Sequence, residues 1–206
     1  MKRGWTLAAA VGGLVLGGGW LWNTATRAGY ESAAYEVVEK DGEYEIRRYP
    51  DLMLASTTSK MDSQGRDGSF GRLFGYISGA NESKQKIAMT TPVFMEGVQD
   101  EVSMGFVMPS EVATDGVPSP TGQGVEVRRR EGGLFAVVRF AGKLDSNLAK
   151  QKAEQLRRWI ESRGHRASDQ IESAGYDPPF TPPMMRRNEV LIRLLDPKAT
   201  PTQRDQ

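Results

Sequence analysis

Cysteine is absent from this 206-residue chain and histidine occurs once, at His165. Without a thiolate there is no disulfide, cysteine nucleophile, iron-sulfur ligation or thiolate zinc site, and one histidine cannot assemble the usual imidazole sets. Zero cysteine leaves the redox compartment open. A phosphate loop, a nucleophile elbow and an H-E-x-x-H helix are also missing. Neither charge is in excess: 27 Lys and Arg stand against 26 Asp and Glu, spread along the chain. The electrostatic footprint of a nucleic-acid binder is therefore lacking. Paired carboxylates occur as Glu43 with Glu45 and Asp100 with Glu101, in strand and turn contexts that read as surface.

What is present begins with an uncharged run, Gly4 to Trp22, behind Lys2 and Arg3. As a helix it spans about 28 Å, near the thickness of a bilayer core, and Trp5, Trp20 and Trp22 suit an interfacial belt. An uncleaved membrane anchor is expected over residues 1–29, including a short tether. A cleaved signal peptide is the rival reading, because the run is rich in Gly and Ala and Thr26-Arg27-Ala28 offers a small-residue cleavage site. Either reading puts the rest of the chain in the periplasm or outside the cell. Residues 196–206 read as a disordered tail, which leaves 30–195 as one domain.

Within that domain YEVVEKDGEYEIRRYP reads as a hairpin turning at Asp41-Gly42, followed by a strand over Leu52–Thr58. Phe70, Phe74 and Ile77, with Leu73, predict an apolar face on a short helix between Ser63 and Gly79. Lys86–Met95 reads as a strand interrupted at Pro92, and Val102–Met108 as another. Val125–Glu131 and Leu134–Ala141 flank Gly132-Gly133 like a second hairpin. Arg128 to Arg130 there read as solvated strand residues, with Arg129 on the opposite face. Asp145 or Ser146 caps a longer helix carrying Ala149, Ala153, Leu156 and Ile160, which Gly164 ends and Trp159 flanks. Strands around Gln170–Ala174 and Glu189–Leu195 close the domain. Each half thus has strands, a helix and a Thr-Pro element, Thr91-Pro92 and Thr181-Pro182, a hint of duplication. The expected class is α+β: duplicated strand-helix-strand units curling into a distorted antiparallel β-barrel flanked by two helices.

Three stretches, YEVVEKDGEYEIRRYP, YISGANESKQKIAMTTPVFM and GYDPPFTPPMMRRNEVLIRL, occur in order between Tyr35 and Leu195. On them the chain resembles the SOUL/heme-binding-protein family. The resemblance implies that duplicated fold, binding of heme or a related tetrapyrrole, and no established catalysis. It also implies that members with an axial histidine carry it in the slot filled here by Arg48, and a guanidinium has no lone pair for iron. His165 follows the second helix, outside every matching stretch. Met53, Met89, Met95, Met104 and Met108 read first as core filling. As a groove, Phe70, Phe74 and Met89 would form an apolar wall, with Arg48, Lys84 and Lys86 as partners for propionates. Two other readings stay open: an effector-binding domain for other lipophilic molecules, and a hydrolase or tetrapyrrole-modifying enzyme on the same fold.

Overall fold

The computed structural model describes residues 29–60, 68–98, 101–178 and 180–195, so the expected anchor and C-terminal tail lie outside the described residues. The strands are β1 (Glu31–Ser32), β2 (Glu36–Asp41), β3 (Tyr44–Tyr49), β4 (Leu52–Lys60), β5 (Thr90–Thr91), β6 (Val93–Val98), β7 (Glu101–Val107), β8 (Glu126–Arg130), β9 (Gly133–Ala141), β10 (Arg166–Ala167), β11 (Glu172–Gly175) and β12 (Arg187–Leu195). The helices are α1 (Ser69–Ile77), α2 (Ser110–Asp115) and α3 (Ser146–Ser162), with a 3₁₀ turn at Pro183–Met185. The fold is α+β, a mostly antiparallel sheet curled into a partial barrel.

Alternating apolar positions make the strands, and their pairing makes the curl. The main sheet runs β2-β3-β9-β12-β11-β6-β7-β4-β8. β2 and β3 form the expected hairpin, with Gly42 at φ +59° in its turn and a bulge between Val37 and Glu39. Gly132-Gly133, in contrast, does not close a hairpin: β8 pairs with β4, while β9 pairs with β3 and β12. The ribbon β3:β9 instead turns a corner at Pro50-Asp51 and Glu131-Gly132 and continues as β4:β8. The Gly132 amide donates to Asp51 Oδ1 at 2.7 Å. A Cβ on Gly132 would lie 2.6 Å from the Tyr49 carbonyl oxygen, so a side chain has no room at this corner.

Exchanging β3 with β8, β4 with β9, β6 with β11 and β7 with β12 turns the order β3-β9-β12-β11-β6-β7-β4-β8 into its own reverse. The sheet therefore has the duplicated topology the sequence suggests, centred on the β6–β11 pair. The two Thr-Pro elements are not its equivalents. Thr91-Pro92, a cis peptide, precedes β6, whereas Thr181-Pro182 lies between β11 and β12. Only Thr90–Thr91 of the stretch before Pro92 is strand, pairing in parallel with Glu31–Ser32.

Three cores follow. α3 lays Ala153, Leu156, Trp159 and Ile160 on β9 and β12. Asp145 caps it, accepting from the Leu148 amide at 2.9 Å. α1 packs Leu73, Tyr76 and Ile77 on β4 and β7. Between the two curved halves lies an interior lined by Tyr35, Tyr49, Leu54, Phe94, Phe135, Val137, Tyr176 and Leu191.

Candidate functional site

The two helices differ in how much sheet they cover. α3 has 17 residues and α1 has 9, roughly 25 Å against 14 Å of cylinder. Around α1 a group of apolar side chains stays only half-buried: Met53, Met89, Val93, Met104, Val125 and Val127. The inward stripe of α1 is Ser69, Leu73, Tyr76 and Ile77. Phe70 and Phe74, expected on that stripe, form the next one, because i and i+4 share a face that lies about 100° from their neighbours. They are 42% and 50% exposed and stack at 6.1 Å with planes 12° apart. Phe70 also meets buried Phe106 edge-on at 5.4 Å. Through Phe106 the exposed pair adjoins the cluster on which the half-buried methionines pack, and aromatic and thioether groups of this kind make an apolar, deformable surface.

Lys86 stands at the C-terminal end of α1. It is exposed, and the adjoining Ile87 amide donates to the Ile77 carbonyl at 2.8 Å. The turn that brings it there is held by Asn81, which is buried. Asn81 Nδ2 donates to the Tyr76 and Gln85 carbonyls, and its Oδ1 accepts from the Gln85 amide. Nothing in composition singled Asn81 out. Lys84 in the same turn is exposed at φ +51°. Phe70, Phe74, Lys86 and Met89 thus gather around α1. Arg48 does not join them: it shares its strand face with Tyr44 and Ile46, which pack into the α3 core, and sits 3.7 Å from Glu36. His165 is exposed just beyond α3. Among the described residues no group of three or more His, Cys, Asp or Glu is disposed to hold a metal ion.

The barrel interior holds what the sequence hid. Glu45, Arg47 and Tyr49 point inward on β3, against the expectation that Glu45 is a surface residue. Arg47, fully buried, forks onto Glu189 at 2.8 and 3.0 Å and reaches Glu45 at 2.7 Å. Tyr176 donates to Glu189 Oε2 at 2.8 Å, and Arg187 reaches Oε1 at 2.7 Å. Arg139 bridges to Glu45 at 3.0 Å and to Glu189 at 3.3 Å. Arg130, read as solvated, is 3% exposed, pairs with Glu172 at 2.8 Å and lies over the rings of Phe94 and Phe135.

Burial alone would raise the pKa of Glu189, but Arg47 and then Arg187 override it and hold it at about 2. Burial pushes Tyr49 up to about 12 and Tyr176 well above its usual value. These groups are displaced away from neutrality, whereas a general acid or base works best near the operating pH. Glu172, the partner of Arg130, is moved the other way: burial raises its carboxyl above the usual carboxylate value, against the pull of Arg130.

At one end of this network an open groove of about 500 Å³ is lined by Gly42, Glu43, Arg139, Phe140, Ala141, Met185, Arg186 and Arg187. Among the described residues no helix is long and apolar enough to cross a membrane.

Solved structures share the architecture at low identity: a hydrolase from Listeria innocua (TM-score 0.57, 12% identity, 77% of this chain and 94% of that one) and the EcmrR C-terminal domain (TM-score 0.52, 12% identity, 74% and 96%). At that identity the likeness concerns the fold alone. Heme-binding protein 1 of Xenopus tropicalis is 30% identical over 162 residues, 74% of this chain and 84% of the relative. Heme-binding protein 2 of Mus musculus is 29% identical over 171 residues, covering 78% and 82%. The family model described as SOUL heme-binding protein matches residues 30–193. A match over nearly the whole described domain shows the relationship: the chain belongs to the SOUL heme-binding protein family.

Proposed function

We propose that the domain binds heme or a related tetrapyrrole reversibly, on the apolar face beside α1, as a carrier, buffer or sensor and not as an enzyme. The observation that carries this reading is the exposed Phe70 and Phe74 stack, joined through Phe106 to the cluster on which half-buried Met89 and Met104 pack, in a family whose curated relatives are named for heme binding. Heme presents a flat apolar macrocycle and two carboxylates. The phenylalanine rings and methionines suit the first, and Lys86 suits a propionate as a point charge. Imidazole ligation of the iron is not on offer at this face, and a thioether is the donor type it carries. Arg48, on the layer of α3, stands apart from this wall. We place the domain outside the cytoplasm, held by the Gly4–Trp22 run as an anchor or released after its cleavage.

The test is a titration of the chain with hemin, following the Soret band, with metal-free porphyrin as competitor. Saturable binding at micromolar concentration is expected, with the two macrocycles competing on nearly equal terms. Phe70→Ala with Phe74→Ala weakens it roughly tenfold, the scale of one or two lost ring contacts. Absence of saturable binding overturns the reading. Arg48→His leaves the Soret band unchanged; a new low-spin spectrum would move the pocket to β3. Turnover on ester or tetrapyrrole panels would favour an enzyme instead.

A further inference from the structure

The loop between β11 and β12 presents its apolar side chains to water. Phe180 is 86% exposed, Met184 82% and Met185 62%. A loop that turned apolar groups outward by slackness would gain by folding them back, but this one is braced. The Thr181 amide donates to the Pro178 carbonyl at 3.0 Å, and the Met185 amide to the Pro182 carbonyl at 2.9 Å. Arg186 Nε donates to the Thr181 carbonyl at 2.7 Å, and the Arg187 amide to Asp177 Oδ2 at 2.6 Å. Pro182 and Pro183 fix φ around the 3₁₀ turn. Rigidly displayed apolar groups mark an interaction surface.

The groove next to this loop supplies the complementary charge. Arg139, Arg186 and Arg187 line it with Glu43 as their opposing carboxylate. Arg139 and Arg187 share Glu45 and Glu189 with Arg47, so three guanidinium groups meet two buried carboxylates. The surplus is positive and faces outward through Arg139, 35% exposed.

The chain's own entry lies at this end. Gly175 pairs with Val93, and Val93 follows Thr91, which pairs with Ser32. Six residues, 23–28, separate Gly29 from the uncharged run Gly4–Trp22, a reach of at most about 20 Å. An apolar prong, a basic groove and the base of a short tether therefore share one end of the sheet. We infer that this end docks on an anionic bilayer surface, with Phe180, Met184 and Met185 entering the acyl boundary and Arg139, Arg186 and Arg187 taking lipid phosphates. Basic groups beside shallowly inserted apolar ones are the combination that anionic interfaces favour. The inference is independent of the heme reading, whose residues gather around α1.

Because the chain has no cysteine, one introduced thiol reports from one place. Full-length chain carrying Met184→Cys, or Thr58→Cys at the opposite end of the sheet, is labelled with an environment-sensitive fluorophore. It is then mixed with nanodiscs of phosphatidylcholine alone or with phosphatidylglycerol. The expected result is a blue shift and quenching by doxyl lipids at position 184, none at 58, and a several-fold loss of both signals without phosphatidylglycerol or at high salt. Adding Phe180→Ser and Met185→Ser abolishes the signal at 184 and leaves hemin binding intact. A label at 184 that stays open to iodide and blind to doxyl lipid overturns the inference. So does equal quenching at both positions, which reports the tether alone, or burial of the label without lipid, which reports self-association. Quenching indifferent to phosphatidylglycerol removes the role given to the arginines.

Discussion

Arg47 keeps its charge wholly out of solvent, and what allows this is a complete set of partners: two carboxylates, the Tyr49 hydroxyl and the face of Tyr35 at 4.1 Å. Such a cluster is a poor source of net stability but costly to break from one side. Arg47→Met, leaving Glu189 buried and short of partners, is expected to cost about 3–5 kcal/mol in urea unfolding. The sign with pH follows from Glu189, whose folded pKa of about 2 lies below its ordinary 4.5. Its contribution is present above pH 4.5 and is lost as pH falls toward 2, on the order of 3 kcal/mol. Glu189→Gln, whatever its baseline, should flatten the stability profile across that acid window; an unchanged slope would assign acid sensitivity elsewhere. Little of this was legible from the chain. Glu45, Arg47 and Arg130 have side chains that read as surface, and Arg47 meets Glu189 across 142 positions. Strand alternation puts Glu45, Arg47 and Tyr49 on one face, and it is the closure of the sheet that turns this face inward.

Elements were easier to read where their signals are local. The β2–β3 turn and both ends of α3 were legible because a turn dipeptide, a capping Asp145 and Gly164 at φ +72° act within a few residues. Gly132-Gly133 misled for the same reason: it shows that the chain bends, not which strands pair afterwards. Its real task is the close backbone approach at the ribbon corner. Gly132→Ala should cost roughly 2 kcal/mol or more in thermal or urea unfolding, as backbone misfits do, since the new methyl meets backbone rather than a yielding side chain. A neutral result would mean the corner opens freely. α3 offers a second check. Trp159 stacks on Tyr44 at 5.3 Å and donates its indole N–H to Asp41 Oδ2 at 3.0 Å, pinning the helix to the first hairpin. Trp159→Phe keeps the ring and loses the donor, so the depression of the Asp41 pKa, to which the indole contributes most and Arg163 next, should shrink without disappearing. Proton titration of Asp41 reads this directly.

Over the whole molecule the doubled topology was visible in the order of strands and helices, while the unequal helix lengths that leave one apolar face open were not. Phe70, Phe74 and Ile77 were read as one stripe, and a rotation of one position separates the inward group from the exposed pair. Arg48 was grouped with them by resemblance, although the sheet assigns it to the other layer. The doubling has one more consequence. The halves are not merely side by side: β3 pairs with β9, β4 with β8 and β6 with β11, so three hydrogen-bonded seams join residues before the 116–125 loop to residues after it. The stretch 121–124 of that loop is exposed. A protease that cleaves there would yield two pieces on a denaturing gel and one particle by size exclusion, interlocked like clasped hands with the covalent link already cut.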